Sequence, residues 1–474
     1  MKFVADLHLH SKYSRAVSQQ MVLAQMVHWA KLKGINVLAT GDFTHPFWFD
    51  QIKNELAEAG RGLYKLKPSV NGSQIRQNSE VSFNREPVYF LLSTEISSIY
   101  SQGDRVRRIH NLFFFPSLAS VEKFNKALLT RGANLRSDGR PIVGITSRDL
   151  AEIALLCDEK ALVIPAHVWT PWFSVFGSFS GFDSVEECFG DMSKFVYGIE
   201  TGLSSDPAMN WRIADLDNLS ILSFSDAHSL EKMGREVTVF EAGETSYNSI
   251  YWAIRNVGWL DGGPKRENEP TNLQAQEPTN QSKIAFTIEF YPEEGKYHFT
   301  GHRNCNFSQS PEETAKNGDI CPVCGKPLTV GVMHRVEQLK TRNLKHETRD
   351  INGVRWVYPE GDGRPPYVSM VPLGEILAGS LGAAVGTKKV ADQYLILVSN
   401  LGSEFNVLLK ADLEAIARFS NQKVARAVSK VRGGDIVVEP GYDGKFGVVK
   451  IFNEKSGELT KGKINDDAQL NLFA

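Results

Sequence analysis

Short apolar runs recur through the first half of the chain, separated by longer polar and amphipathic stretches. Five of them have the composition of buried strands, and a residue able to bind a metal follows each one closely: 3–5, 35–40, 88–92, 162–166 and 221–224. When such strands alternate with helices, their carboxyl ends gather at one rim. The pattern therefore predicts an α/β fold with a metal site at that rim.

The first run leads directly into Leu7-His8-Leu9-His10. Residues two apart in a strand point the same way, so His8 and His10 share one face. Leu7 and Leu9 are then expected in the core. A pair of surface histidines is the alternative interpretation, and it weakens as further ligands are found along the chain.

The other candidate ligands follow the later runs, singly or in pairs. The predicted metal ligands are His8, His10, Asp42, Glu95, His110, His167, Asp226 and His228, with His45 as an alternative to Asp42. Imidazole and carboxylate donors without a thiolate suit zinc, manganese or iron, and so many donors suit two or three ions. Zn²⁺ is the expected catalytic ion, with Mg²⁺ or Mn²⁺ as alternatives.

Closely spaced metals of this kind serve hydrolysis, because they activate a water and stabilise both oxygens of a phosphoryl displacement. Asp226, His228 and Glu95 are the predicted catalytic residues. A phosphatase acting on a small phosphate ester would use the same metals. A DNA-binding module with a purely structural metal is a further alternative.

In their order, these residues resemble the PHP (polymerase and histidinol phosphatase) metallo-phosphoesterases over residues 1–262. The resemblance implies a distorted (β/α) barrel with a trinuclear metal site. Two departures are visible. Gly41-Asp42-Phe43 stands where the family usually has Thr-Asp-His, and the histidine often found shortly after the opening motif is missing from 11–17.

Longer segments resemble the endonuclease Q family, which joins this catalytic domain to a zinc-binding domain. The segments that carry the resemblance are 10–16, 41–46, 167–173, 176–177 and 180–183. The resemblance spans nearly the whole chain. It implies cleavage of damaged single- or double-stranded DNA on the 5′ side of uracil, hypoxanthine, xanthine and abasic sites.

An aromatic, glycine-rich segment follows the ligand His167 and suits a pocket for an extruded base. Enzymes that act on damaged bases commonly flip them out and hold them against aromatic walls. The predicted pocket residues are Ser11, Trp169, Trp172, Phe173, Phe176, Ser180 and Phe182. The alternative is that these aromatic residues belong to the core.

A second cluster of ligands lies beyond a polar linker, 263–283, and predicts a zinc-binding domain over 284–350. Cys305 and the pair Cys321 and Cys324 supply three thiolates, which with one histidine give a closed tetrahedral zinc site. A disulfide is less expected, because the other cysteines lie in apolar surroundings. The spacing favours His302 as fourth ligand and leaves open His298 and His334.

The remaining chain predicts a small C-terminal α+β region over 351–460 that binds DNA. It contains an amphipathic stretch, 413–431, and a hairpin, 436–452. Because the net charge is −2, DNA affinity must come from local patches. The candidates are Arg335, Lys340, Arg342, Lys345 and Arg349, and Lys423, Arg426, Lys430 and Arg432, with solvated helix surface as the alternative.

The tail, 461–474, ends in a sequence that resembles a bacterial sliding-clamp motif. Its clamp-binding residues are Gln469, Leu470, Leu472 and Phe473. An apolar end that docks on its own domain is the alternative. The chain contains neither a signal-peptide pattern nor an apolar run long enough for a membrane, so a cytoplasmic, nucleoid-associated protein is expected.

Overall fold

The computed structural model describes residues 1–70, 86–256, 282–361 and 363–452. The predicted linker falls outside these ranges except for Ser282 and Lys283, and the predicted tail lies wholly outside them. The clamp-binding residues therefore stay a prediction. Among the helices of the described ranges, none has the length and apolar character needed to cross a membrane.

The amino-terminal half alternates strands with helices. Its strands are β1 (Lys2–Asp6), β2 (Val37–Ala39), β3 (Leu56–Gly60), β4 (Leu63–Leu66), β5 (Tyr89–Gln102), β6 (Arg105–Phe115), β7 (Ile142–Val143), β8 (Leu162–Pro165), β9 (Gly198–Glu200), β10 (Ser220–Leu222) and β11 (Val237–Glu241). Its helices are α1 (Leu23–Lys33), α2 (Pro46–Glu55), α3 (Leu118–Thr130), α4 (Ser147–Cys157), α5 (Val185–Phe189), α6 (Pro207–Asn210) and α7 (Tyr247–Arg255).

Eight of these strands form a ring. β1 is parallel to β2 and β2 to β5, β5 and β6 form an antiparallel hairpin, and β6 pairs antiparallel with β8. The Val168 amide donates to the Glu200 carbonyl and so joins β8 to β9, which is parallel to β10. Thr238 of β11 joins that strand to the end of β10, because its hydroxyl accepts from the Ser223 amide and donates to the Ser223 carbonyl. β11 then pairs antiparallel with β1 and closes the ring. The predicted distorted barrel is confirmed.

Strand β1 illustrates why these short runs become strands with two buried faces. Phe3 and Ala5 pack in one apolar cluster with Phe240, while Val4 packs against the other cluster. This alternation is the two-residue period of a strand covered on both sides. Leu7 and Leu9 are also buried, as predicted.

The main sheet continues from the ring into the second half of the chain. The elements there are β12 (Lys283–Glu289), β13 (Thr300–His302), β14 (Phe307–Gln309), α8 (Pro311–Asn317), α9 (Val332–Leu339), β15 (His346–Ile351), β16 (Val354–Pro359) and β17 (Tyr367–Ser369). β12 pairs antiparallel with β11 and parallel with β17. The predicted domain boundary at 283/284 thus falls inside a strand that shares hydrogen bonds with both halves.

The carboxyl-terminal region is helical and closes with a hairpin. It comprises α10 (Leu373–Leu381), α11 (Lys388–Leu401), α12 (Glu404–Leu409), α13 (Leu413–Phe419), α14 (Gln422–Gly433), β18 (Val437–Glu439) and β19 (Val448–Lys450). The predicted amphipathic stretch forms α13 and α14, and β18 pairs antiparallel with β19. The predicted hairpin is therefore present.

Three arginines predicted to contact DNA make hydrogen bonds within the protein. Arg432 is buried, and its guanidinium donates to the carbonyls of residues 407, 408 and 411. Arg342 donates to the Trp211 carbonyl and pairs with Asp217. Arg335 is held by the aromatic segment after β8. The prediction that Arg432 shares a DNA-binding face of its helix was wrong, because its side chain turns inward and binds carbonyls at the end of α12.

Candidate active site

Seven of the eight predicted metal ligands come together in three overlapping groups. Within each group the donor atoms all lie within 4.8 Å of one another. The groups are His8, His10 and Glu95; His10, Asp226 and His228; and Glu95, His110 and His167. Because His10 and Glu95 each belong to two groups, the three form one continuous cluster.

Backbone pairing explains why these ligands meet. The segment after β1 lies against the segment after β10, with Leu9 bridged to Ala227 and the His10 amide donating to the Ala227 carbonyl over 3.3 Å. In the β5–β6 hairpin, Glu95 and His110 are diagonal cross-strand neighbours on one face, and His110 Nδ1 lies 2.8 Å from Glu95 Oε1. His167 follows β8 directly.

The innermost atoms of the cluster are short of hydrogen-bond partners. His8 Nε2, His10 Nε2 and Asp226 Oδ1 are buried and have none, and Asp226 Oδ1 lies 3.6 Å and 3.3 Å from the two imidazole nitrogens. Buried polar atoms without partners are costly unless a ligand satisfies them. Nitrogen and carboxylate oxygen donors suit zinc and manganese, so these residues fit the implied metals.

Burial and neighbouring charges set opposite protonation preferences in the cluster. Burial disfavours the charged form of His8, but the carboxylates of Glu200, Asp226 and Glu95 outweigh it and raise the pKa of His8 well above its ordinary value. Burial lowers the pKa of His110 to about 4. His110 is therefore neutral at pH 7, as a ligand must be, whereas metal binding to His8 would displace a proton.

Asp42 lies behind the cluster and belongs to none of the three groups. Its carboxylate lies 3.1 Å from His10 Nδ1 and accepts from the Ser11 amide, the Ser11 hydroxyl and the Ser14 hydroxyl. His45, the predicted alternative, stacks on Tyr13 with ring centroids 4.5 Å apart and joins no group either. The described geometry thus gives Asp42 the position of a residue that orients a ligand.

Glu200 has the same relation to His8 and was missed by the sequence analysis. Its carboxylate lies 2.8 Å from His8 Nδ1 and accepts the amide of His167 at 2.7 Å. A carboxylate on the far nitrogen of a metal-binding imidazole fixes the ring and its tautomer. Its position at the end of a short apolar strand, like the other site residues, was the available sign.

Arg140 is a second residue that sequence reasoning missed. Its Nη1 lies 3.1 Å from Glu95 Oε2, and its side chain remains 27% exposed. Burial disfavours its charge, but Glu95 and Asp226 raise its pKa, so it stays protonated. Arg140 therefore places a fixed positive charge at the edge of the cluster.

Four of the nine non-glycine residues with positive φ in the described part of the chain lie at this site. Asp42, His167, Phe173 and Asp226 all have positive φ angles, of 49°, 30°, 61° and 45°. Residues other than glycine adopt this region at a cost, and such residues cluster at functional sites. The strained residues here include two of the candidate metal ligands, His167 and Asp226.

The predicted lesion pocket divides into core and accessible residues. Ser11, Trp169, Phe176, Ser180 and Phe182 are all at most 2% exposed. Trp169 and Phe176 stack on each other in the core, so the core alternative holds for these rings and for Phe182. Trp172 and Phe173 are half-buried. The Phe173 ring lies 4.7 Å from that of His110, and Trp172 stacks on Phe179.

The predicted zinc ligands form a fourth group, apart from the others. Donor atoms of His302, Cys305, Cys321 and Cys324 lie within 4.8 Å of one another. Of the three histidines that the spacing left open, only His302 joins the cysteines. His298 is buried beside Phe299, and His334 Nδ1 lies 3.2 Å from a backbone carbonyl.

Solved structures with similar folds match almost the whole chain. A lesion-specific endonuclease from Pyrococcus furiosus, PfuEndoQ, has a TM-score of 0.74 and 29% identity, with 96% of each chain covered. Endonuclease Q in complex with a 27-mer duplex substrate, with an abasic lesion at the active site, has a TM-score of 0.76 and 29% identity, covering 96% of this chain and 98% of that one. The chain is thus similar to endonuclease Q over nearly its whole length.

Curated relatives of this chain include two uncharacterized proteins. YqxK of Bacillus subtilis is 29% identical over 95% of this chain and 99% of its own length. MJ0043 of Methanocaldococcus jannaschii is 30% identical over 60% of this chain, and the match spans only 32% of that protein. A family model, the MJ0043 C-terminal domain, matches residues 372–435, which correspond to the helical region α10–α14.

Replacing Glu200 with glutamine tests whether its carboxylate orients His8. The change keeps the side-chain size but removes the charge beside His8, so we expect metal affinity to fall about 10–100-fold. Calorimetric titration of the metal-free protein with Mn²⁺ measures the effect, with the exposed Glu58→Gln as the matched control. Equal affinity in both variants would show that Glu200 does not tune the site.

Proposed function

We propose that the chain is a lesion-specific DNA endonuclease that hydrolyses the phosphodiester bond on the 5′ side of deaminated bases and abasic sites. The observation that carries the proposal is the cluster of seven candidate ligands in a protein that is similar, over 96% of its length, to endonuclease Q with an abasic lesion at its active site. Uracil, hypoxanthine and xanthine are the proposed deaminated bases. Damaged DNA is the proposed partner, with the sliding clamp bound through 469–473.

The three donor groups would hold the metals, with Zn²⁺ the proposed ion and Mg²⁺ or Mn²⁺ as alternatives. Bound metals activate water and stabilise the attacking and leaving oxygens of a phosphoryl displacement. Asp42 and Glu200 orient His10 and His8 from behind. Arg140, protonated at the edge of the cluster beside Glu95, would bind a phosphate oxygen and hold the scissile bond in line.

The accessible aromatic residues beside the cluster are the proposed contacts of the lesion. Phe173 packs against the ligand His110, so a nucleoside held on its ring lies next to the metals. Trp172 and the 47%-exposed Phe179 offer a stacked pair at the protein surface nearby. Base stacking of this kind is worth about 1–3 kcal/mol per base.

The decisive experiment uses end-labelled duplexes that carry one uracil, hypoxanthine, xanthine or abasic site. The purified protein and its Asp226→Ala variant are incubated with each duplex, with divalent metal and with chelator. We expect a metal-dependent nick immediately 5′ of the lesion, absent with Asp226→Ala, while binding to the duplex is kept.

Small phosphate esters serve as the competing substrates in the same assay. Faster turnover of these esters than of damaged DNA would favour the phosphatase and overturn the proposal. Intact DNA under every condition, with duplex binding retained, would instead leave a DNA-binding module with a structural metal.

A further inference from the structure

An aromatic and basic surface adjoins the metal cluster. We define it by the rings of Tyr13, His45 and Phe47 and the cations Lys12, Arg15 and Arg136, and call it the ring-and-cation surface. Phe47 is 57% exposed although it is a large apolar side chain. One exposed apolar side chain is common by itself, so the groups around Phe47 decide what this surface can bind.

The three rings lie in a connected series. Tyr13 and His45 stack at 4.5 Å with planes 20° apart, and the Phe47 ring lies 5.8 Å from His45 and 6.4 Å from Tyr13. His45 is buried, and its Nδ1 has no hydrogen-bond partner. Phe47 is therefore the outermost ring, supported from below by two others.

Cations surround the same rings. The Lys12 ammonium lies 5.3 Å from the Tyr13 ring, and the Arg136 guanidinium lies 5.8 Å from the Phe47 ring. The Arg15 side chain is 77% exposed and reaches Asp138 at 3.4 Å. Phosphate-binding cations beside an exposed aromatic ring form the usual combination for an unpaired nucleic-acid strand.

Each segment that builds this surface also carries a residue of the metal cluster or one that contacts it. Lys12 and Arg15 follow the ligand His10. Phe47 follows Asp42, and the His45 amide donates to the Asp42 carbonyl over 2.9 Å. Arg136 precedes Arg140, and the Gly139 amide donates to the Tyr13 carbonyl over 3.0 Å. The surface is thus held at a fixed position relative to the metal cluster.

We propose that this surface binds the cleaved DNA strand next to the scissile phosphate, with one base stacked on Phe47 and its phosphates on Lys12, Arg15 and Arg136. The proposal rests on the proposed function and adds a subsite separate from the lesion pocket. Three cations and an exposed ring match the charge and the flat faces of a nucleotide.

Substitution of Phe47 tests the subsite. We expect Phe47→Ala to raise the Kd for a lesion-bearing duplex about 5- to 150-fold, which corresponds to the loss of one stacked base. Phe47→Tyr should restore binding. Leu156→Ala, which removes an exposed apolar side chain (78% exposed) from α4, is the matched control. Thermal unfolding of each variant verifies that the fold is kept.

Photo-crosslinking locates the base directly. DNA with 5-iodouracil at single positions flanking the lesion is irradiated with the protein, and mass spectrometry maps the adducts. We expect an adduct on Phe47 or Tyr13 from one flanking position. Unchanged affinity of Phe47→Ala, failure of Phe47→Tyr to restore binding, or adducts elsewhere only, would overturn the subsite. If the wild-type protein binds damaged DNA through Phe47 but does not cleave it, only the proposed function fails.

Discussion

Replacing Glu95 with glutamine is expected to lower the rate of DNA cleavage at least about a thousand-fold, equivalent to about 4 kcal/mol of transition-state stabilisation. Glu95 belongs to two of the three donor groups, and its oxygens lie 2.8 Å from His110 Nδ1, 3.2 Å from His167 Nε2 and 3.3 Å from His10 Nε2. Glutamine keeps the shape but loses the negative charge and one acceptor oxygen.

The carboxyl group of Glu95 stays ionised near pH 7. Burial opposes ionisation, but the charges of Arg140 and His8 and a hydrogen bond with His10 outweigh it and keep the pKa of Glu95 well below its ordinary value. Single-turnover cleavage with saturating enzyme measures the chemical step, and metal analysis of the purified variant reports occupancy. Glu122→Gln on the exposed face of α3 is the control. A variant that cleaves within tenfold of wild type would exclude Glu95 from the catalytic cluster.

Replacing Cys321 with serine is expected to release the structural zinc and unfold the module around it. Structural zinc supplies folding energy directly, about 10–16 kcal/mol of binding in small zinc-finger peptides. Cys321 is 1% exposed, and the amides of Val323 and Cys324 outweigh desolvation and lower its pKa to about 6. Serine at this position offers no thiolate and leaves three ligands.

The loss is expected to reach the catalytic half, because Arg335 on α9 connects the two. Its guanidinium donates to the carbonyls of Phe176 and Phe182, at 3.0 Å and 3.2 Å, and pairs with Asp183. Hydrogen exchange should therefore increase in 298–331 and also in 172–183. Zinc content by mass spectrometry and thermal unfolding complete the measurement.

Cys157→Ser is the control for this prediction, because Cys157 lies outside the ligand group. It should keep the zinc and the wild-type exchange pattern. Full zinc content in Cys321→Ser would show that a different residue completes the site. Exchange confined to the zinc module would show that Arg335 transmits nothing to the aromatic segment.

The aromatic segment after β8 could be predicted only in part from the sequence. Its aromatic residues were predicted as one pocket, yet Trp169 and Phe176 pack in the core, whereas Trp172 stays accessible. Spacing within an irregular segment does not define which side chains turn inward. That choice depends on the strands beneath it and on Arg335, which comes from a distant part of the chain.

Local pattern alone determined the ligand types, the two-residue period that buries Leu7 and Leu9 beside His8 and His10, and the zinc motif, because these depend on neighbours along the chain. Only the tertiary structure decided that Asp42 and Glu200 lie behind the histidines and that Arg140 faces Glu95. It also decided that His302 completes the cysteine group and that Arg432 points inward. Each of those outcomes depends on which distant segment meets a side chain, and closure of the strand ring sets that meeting.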